Sequence, residues 1–166
     1  VVRDIIPVRI VGYDCYTAPW DIISEYRGVT NLLIDLADAP DFSHQVVSKI
    51  NECEESRLSQ MEDLGLFELN SYSLHSTAAL CSDLAKGYDG GEVLRKHVWG
   101  RGMAQILASV SKDMHKEFDI DYMKKLMEPF GLVYYGCCEP LDKKIDIVME
   151  LPHLRKISVT PWADVD

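Results

Sequence analysis

Two neighbouring thiols followed by a carboxylate, Cys137-Cys138-Glu139, are the densest chemistry in this chain. They follow Leu132-Val133-Tyr134-Tyr135-Gly136, an apolar run closed by glycine, which predicts a buried strand with the three side chains at its carboxyl end. In α/β folds that edge hosts sites, because the strand fixes position while the following loop is free to vary. Two thiols and a carboxylate suit a soft metal. Zinc takes thiolate sulfur readily and keeps an open position when catalytic. Adjacent residues on an extended chain point opposite ways, so the pair needs a bend at Gly136 to converge. One thiol is expected to face the site and the other to pack. The competing reading is two small core residues at a strand end, since a neighbouring pair lacks the specificity of two spaced pairs.

The remaining candidates are single residues. His75 lies in the polar stretch Asn70-Ser71-Tyr72-Ser73-Leu74-His75-Ser76, where it would bind substrate or sit as a surface histidine. Asp14, at the end of the first expected strand, is a substrate-binding candidate by position. His97 lies near Arg101 and Gln105, whereas His44, His115 and His153 read as surface helix or turn residues. Glu52, Glu54 and Glu55 read as a solvated helix face. Tyr13, Tyr16, Trp20 and Trp99 either line a pocket or fill the core. Cys15, Cys53 and Cys81 are isolated and expected to be small buried residues.

The elements that must position these groups follow from periodicity and turn signals. Residues 5–12 read as a buried strand with Pro7 near its start. Ala18-Pro19-Trp20 opens a helix that Gly28 ends, and Thr30 and Asn31 cap a short helix through Ala37. From Pro40 to Gly65 apolar residues recur at helical spacing, at Val46, Val47, Ile50, Leu58 and Met61. Residues 66–69 are expected to form a strand and 87–91 a loop. Ser111 caps a helix running to about Phe130, residues 141–151 form another, and residues 155–160 a final strand. Strand, helix, strand is the repeat of a parallel sheet, so the fold class is α/β.

Composition narrows the function classes. The 166 residues are 47% hydrophobic and 27% charged, which fits a folded globular domain. Acids outnumber bases 27 to 17 without a Lys/Arg cluster, which argues against nucleic acid as the main partner. No apolar run is long enough to span a membrane and no signal peptide is evident. Five cysteines at irregular spacing do not read as a disulfide framework, so the expected compartment is reducing, most simply the cytoplasm. The chain starts Val1-Val2-Arg3 and stops just after the apolar run 157–162, which suggests a fragment of a longer protein.

The pattern Ser109-Val110-Ser111-Lys112-Asp113-Met114-His115-Lys116-Glu117-Phe118, a helix, then Phe130-Gly131-Leu132-Val133-Tyr134-Tyr135-Gly136-Cys137-Cys138, resembles the uroporphyrinogen decarboxylase superfamily. That superfamily includes the cobalamin-linked methyltransferases. The earlier order of a Trp-containing helix, residues 33–40 and a long helix is similar as well, but the sharp part covers residues 99–162. The resemblance implies a (β/α)8 TIM barrel, and a barrel needs at least about 200 residues. Residues 1–166 would then be a fragment of one such barrel domain, roughly its later-middle half.

In the methyltransferase branch a His-x-Cys on this strand and a later Cys bind zinc. Matching the strands puts Gly136 at the histidine position and Cys138 at the cysteine position, so this sequence lacks the histidine. The resemblance therefore implies zinc on Cys138, with Glu139 or Cys137 in place of the missing ligand. It also implies cobalamin on a separate corrinoid protein docked over the barrel mouth, and a small-molecule methyl donor or acceptor. His75 and Asp14 would line that mouth. The full-length protein is expected to be a methyltransferase and the fragment alone inactive, and two copies of a half barrel could complete one another as a homodimer. The alternatives are a metal-independent decarboxylase-like carboxy-lyase, with a basic pocket for a carboxylate, and a non-catalytic structural or interaction domain.

Overall fold

The computed structural model describes residues 5–6, 15–69, 73–74, 77–78 and 81–164. Strand β1 (Tyr16–Thr17) leads into three consecutive helices, α1 (Pro19–Arg27), α2 (Val29–Asp38) and α3 (Pro40–Asp63). A hairpin of β2 (Ser73–Leu74) and β3 (Thr77–Ala78) and a short helix α4 (Asp83–Lys86) follow. Then come β4 (Trp99–Gly102), α5 (Lys112–His115), α6 (Asp121–Met127), β5 (Leu132–Tyr135), α7 (Ile145–Val148) and β6 (Leu154–Ile157). Strands β1, β4, β5 and β6 pair side by side in that order, every pairing parallel. The protein is therefore a mixed α/β structure on a four-stranded parallel sheet. Among the described residues no helix is long and apolar enough to cross a membrane.

Local chemistry explains the helix boundaries. Pro19 and Pro40 stand at the first turns of α1 and α3, where a missing N–H costs nothing. Gly28 separates α1 from α2 at φ +78°, a conformation that side chains disfavour. The inward faces of the three helices, through Trp20, Ile23, Leu32, Leu36 and Val47, close one core cluster with Leu107 and Phe118. The Ser111 hydroxyl accepts from the Met114 N–H and caps α5. Between α5 and α6 the backbone runs as a π-turn over Lys116–Ile120. The wider turn buries three successive residues, Phe118, Asp119 and Ile120. The Trp20 indole N–H donates to the Phe118 carbonyl at 2.8 Å and ties α1 to this turn.

The main core lies between the sheet and α6 and α7, built from Met123, Met127, Phe130, Val133, Tyr135, Leu141 and Val148. Strand β4 reads Trp-Gly-Arg-Gly because α6 packs tightly on it. A Cβ at Gly100 would lie 2.6 Å from the Phe130 ring, and one at Gly102 2.8 Å from the Met123 sulfur. β4 was not anticipated from the sequence. Residues 66–69, expected as a strand, form no strand; Phe67 is instead buried in the main core after the Gly65 turn. The expected helix 141–151 is a 3-10 turn at Asp142–Lys144 followed by the single turn of α7. The strand expected over 5–12 lies outside the described residues, apart from Ile5 and Ile6, which are exposed and not in a strand.

Candidate functional site

The carboxyl end of β5 carries the candidate site. Gly136 turns the chain at φ +94°, and the space beside it is closed, since a Cβ there would meet Leu141 Cδ1 at 2.6 Å. The bend brings the Cys137 and Cys138 sulfurs to 3.6 Å, so two adjacent side chains converge that an extended chain would hold apart. Cys138 is exposed and Cys137 half-buried. The loop is fastened on both sides: the Ser158 hydroxyl donates to the Cys137 carbonyl at 2.7 Å, and the Trp162 indole N–H to the Cys138 carbonyl at 3.1 Å.

Glu139 turns the other way. It is buried, and its two carboxylate oxygens accept from the backbone N–H of Ala104 at 3.2 Å and of Cys137 at 2.8 Å. It ties the end of β4 to the end of β5. Burial pushes its carboxyl pKa up, against the backbone N–H groups of Glu139 itself, Cys137 and Ala104. Among the described residues no group of three or more His, Cys, Asp and Glu side chains is arranged to hold a metal ion. Asp14 and His75, the expected substrate-binding residues, lie outside the described residues.

A row of polar and aromatic side chains crosses the sheet just below the thiols. Register pairs Tyr16 with Arg101, Arg101 with Tyr134, and Tyr134 with Lys156. The Arg101 guanidinium carbon lies 4.5 Å from the Tyr134 ring centre and Lys156 Nζ 5.5 Å from the same ring, so one aromatic face system carries two cations. Arg101 is fully buried, and its Nη2 donates to the Gly136 carbonyl at 2.8 Å. Burial and the neighbouring Cys138 push the Cys137 thiol pKa up, and the Arg101 charge acts against them. Burial, then the carboxylates of Asp21, Glu25 and Glu54, raise the Tyr16 phenol pKa, and Cys137 adds to this.

Behind the sheet lies a second polar cluster. The Lys144 ammonium, which can only donate, lies 3.2 Å from His115 Nδ1, so that nitrogen accepts. His115 Nε2 then carries the proton and donates to the Tyr135 hydroxyl at 2.7 Å, which donates to Asp119 Oδ2 at 2.5 Å. Lys144 also donates to the Leu107 carbonyl at 2.9 Å. All four side chains are buried. His115, read from sequence as a surface residue, is therefore an interior one. Burial and the Lys144 charge drive its pKa down to about 3, while burial raises Asp119 to about 7.

Sequence reasoning found the thiol pair but missed Arg101 and the His115–Tyr135–Asp119–Lys144 chain. The four-residue spacing of His115 and Asp119 was the one available signal, since it places both on one helix face. Trp20 and Trp99 are core residues, Cys15 is buried as expected, and Cys53 is exposed rather than buried. Comparison with family models, with curated proteins and with solved structures finds no match for this chain.

Proposed function

We propose that this chain is part of a zinc-dependent, corrinoid-linked methyltransferase, and that its parallel sheet is roughly the later-middle half of a (β/α)8 barrel. The observation that carries the reading is the convergence of two thiols, one exposed, at the carboxyl end of an inner parallel strand. The pair fits part of a zinc site. Two sulfurs on one tetrahedral zinc, each at about 2.3 Å, sit roughly 3.8 Å apart, and here they are 3.6 Å apart. Glu139 is left out of the ligand set here, because its two oxygens already accept from backbone donors. Cys138 and Cys137 would therefore supply two ligands and other residues the rest. Zinc held there would act as a Lewis acid on a thiol acceptor or a methoxy donor.

The residues of this chain do the positioning in that proposal. Glu139 and Arg101 fix the backbone of the loop through the Cys137 N–H and the Gly136 carbonyl. Arg101 supplies positive charge that favours the thiolate form of Cys137. A separate corrinoid protein, carrying cobalamin, would dock over this edge of the sheet.

A second reading has its own support. The exposed Lys156, over the Tyr134 ring, is a cation that a carboxylate substrate would meet, as a metal-independent carboxy-lyase would require. The two readings part in one assay. Full-length protein is incubated with methylcobalamin and a small thiol, and the cobalamin spectrum is followed. Demethylation that Cys138→Ala abolishes supports methyl transfer. Unchanged demethylation in Cys138→Ala, or none in either protein, removes it.

A further inference from the structure

We propose that Cys137 and Cys138 are an oxidation site: a vicinal dithiol that hydroperoxides convert reversibly to a disulfide between neighbouring residues. The inference stands on the loop itself and not on the methyltransferase reading. Adjacent residues of a strand direct their side chains apart. Here a glycine-only turn at Gly136, with Leu141 filling the space a Cβ would need, brings the sulfurs to 3.6 Å. Cys138 is exposed and meets a solvent oxidant first, while Cys137 is half-buried beside it. That is the arrangement of an attacking and a resolving thiol.

The chemistry balances with a hydroperoxide as oxidant. The Cys138 thiolate attacks one peroxide oxygen, the O–O bond breaks, and a sulfenic acid forms with release of hydroxide, which takes up the thiol proton as water. Cys137 sulfur then attacks the sulfenic sulfur, an S–S bond forms, and a second water leaves. Two thiols and one hydrogen peroxide give one disulfide and two waters.

Closing the bond shortens the separation from 3.6 Å to about 2.0 Å. The peptide group between the two residues must turn to allow it. Its carbonyl, that of Cys137, accepts from the Ser158 hydroxyl, and the next carbonyl accepts from the Trp162 indole. Oxidation therefore pulls on the segment after β6, and Trp162, the exposed tryptophan beside the buried Trp20 and Trp99, reports it.

The test is made on the full reduced chain with equimolar hydrogen peroxide, followed by trypsin. Residues 126–143 form one tryptic peptide holding Cys137 and Cys138 and no other cysteine. The expected product is that peptide lighter by two hydrogens, resistant to alkylation and restored by dithiothreitol. Thiols titrated in denaturant fall from the five of the reduced chain by two. Tryptophan emission shifts reversibly, and the shift is lost in Trp162→Phe. In Cys137→Ser a dimedone adduct is expected at Cys138 instead. A peptide with both thiols still alkylatable, one carrying sulfinic or sulfonic acid, or one cross-linked to another chain overturns the proposal. The mass readout on the wild-type chain stands even if a variant fails to fold. The chain is freed of metal with a chelator before peroxide is added, so failure of the oxidation is separable from failure of the metal site.

Discussion

The buried chain behind the sheet predicts two opposing pH dependences that hide one another. Asp119 has a folded pKa of about 7 against an ordinary 3.8. Below the unfolded value both states hold the proton and its contribution is fully present. As pH rises toward the folded value the unfolded chain alone releases the proton, and stability falls by about 1.4 kcal/mol per pH unit. His115 has a folded pKa of about 3 against 6.5. Its contribution is complete above the unfolded value and falls at the same rate as pH drops, because the unfolded chain alone takes up the proton. Between about pH 4 and 6.5 the two slopes cancel.

Asp119→Asn removes one slope and exposes the other. Relative to wild type, the variant is expected to lose stability as pH falls from 6.5 to 4, by up to roughly 3 kcal/mol at about 1.4 kcal/mol per unit. His115→Gln is expected to do the reverse and gain stability over the same range. The charged and titratable groups that face the pair are Lys144, which repels a proton from His115, and Glu139 and Asp21, which hold the Asp119 proton on. Tyr135 stays protonated, its pKa driven upward mainly by burial. Urea midpoints at half-unit pH steps, converted with the measured m-value, give the differences directly. Groups common to both proteins drop out of the subtraction. Stability curves for wild type and Asp119→Asn that run parallel from pH 4 to 6.5 would refute the reasoning.

Three substitutions test the site's supports. Gly136→Ala places a side chain at φ +94° with its Cβ 2.6 Å from Leu141 Cδ1, so it should cost about 2–5 kcal/mol from backbone strain and overpacking together; an unshifted urea midpoint contradicts it. Glu139→Ala leaves the Ala104 and Cys137 N–H groups without their acceptor and should destabilise by about 2–4 kcal/mol, with amide exchange quickened at those two positions. Ser111→Ala removes the cap on the Met114 N–H and should cost about 1 kcal/mol, read as a modest drop in Tm.

The sequence carried the frame of the fold wherever a turn signal met an apolar run. Pro19, Gly28 and Pro40 bound the first helices as their backbone chemistry requires. The run 132–135 is a buried strand, and β6 overlaps the expected 155–160. Strand β4 escaped because Trp-Gly-Arg-Gly carries two glycines, which read as loop residues when their purpose is to admit Phe130 and Met123. The π-turn at Lys116–Ile120 escaped because a continuous helical pattern does not reveal where one residue is inserted. Within that segment Asp119 lies inward and accepts from the Tyr135 hydroxyl, which His115 also meets. At the site, the thiols were legible from their types and neighbours. The inward turn of Glu139 was not, since it depends on where the Ala104 N–H of another strand end comes to lie.

The central claim is that the two sulfurs at the end of β5 hold a soft metal and that Glu139 does not. The most direct measurement is zinc content by elemental mass spectrometry of the reduced protein, with Cys138→Ala and Glu139→Gln beside it. About one zinc per chain, lost in Cys138→Ala and kept in Glu139→Gln, is the predicted result. No zinc in the wild-type protein, or zinc that survives Cys138→Ala, would contradict it.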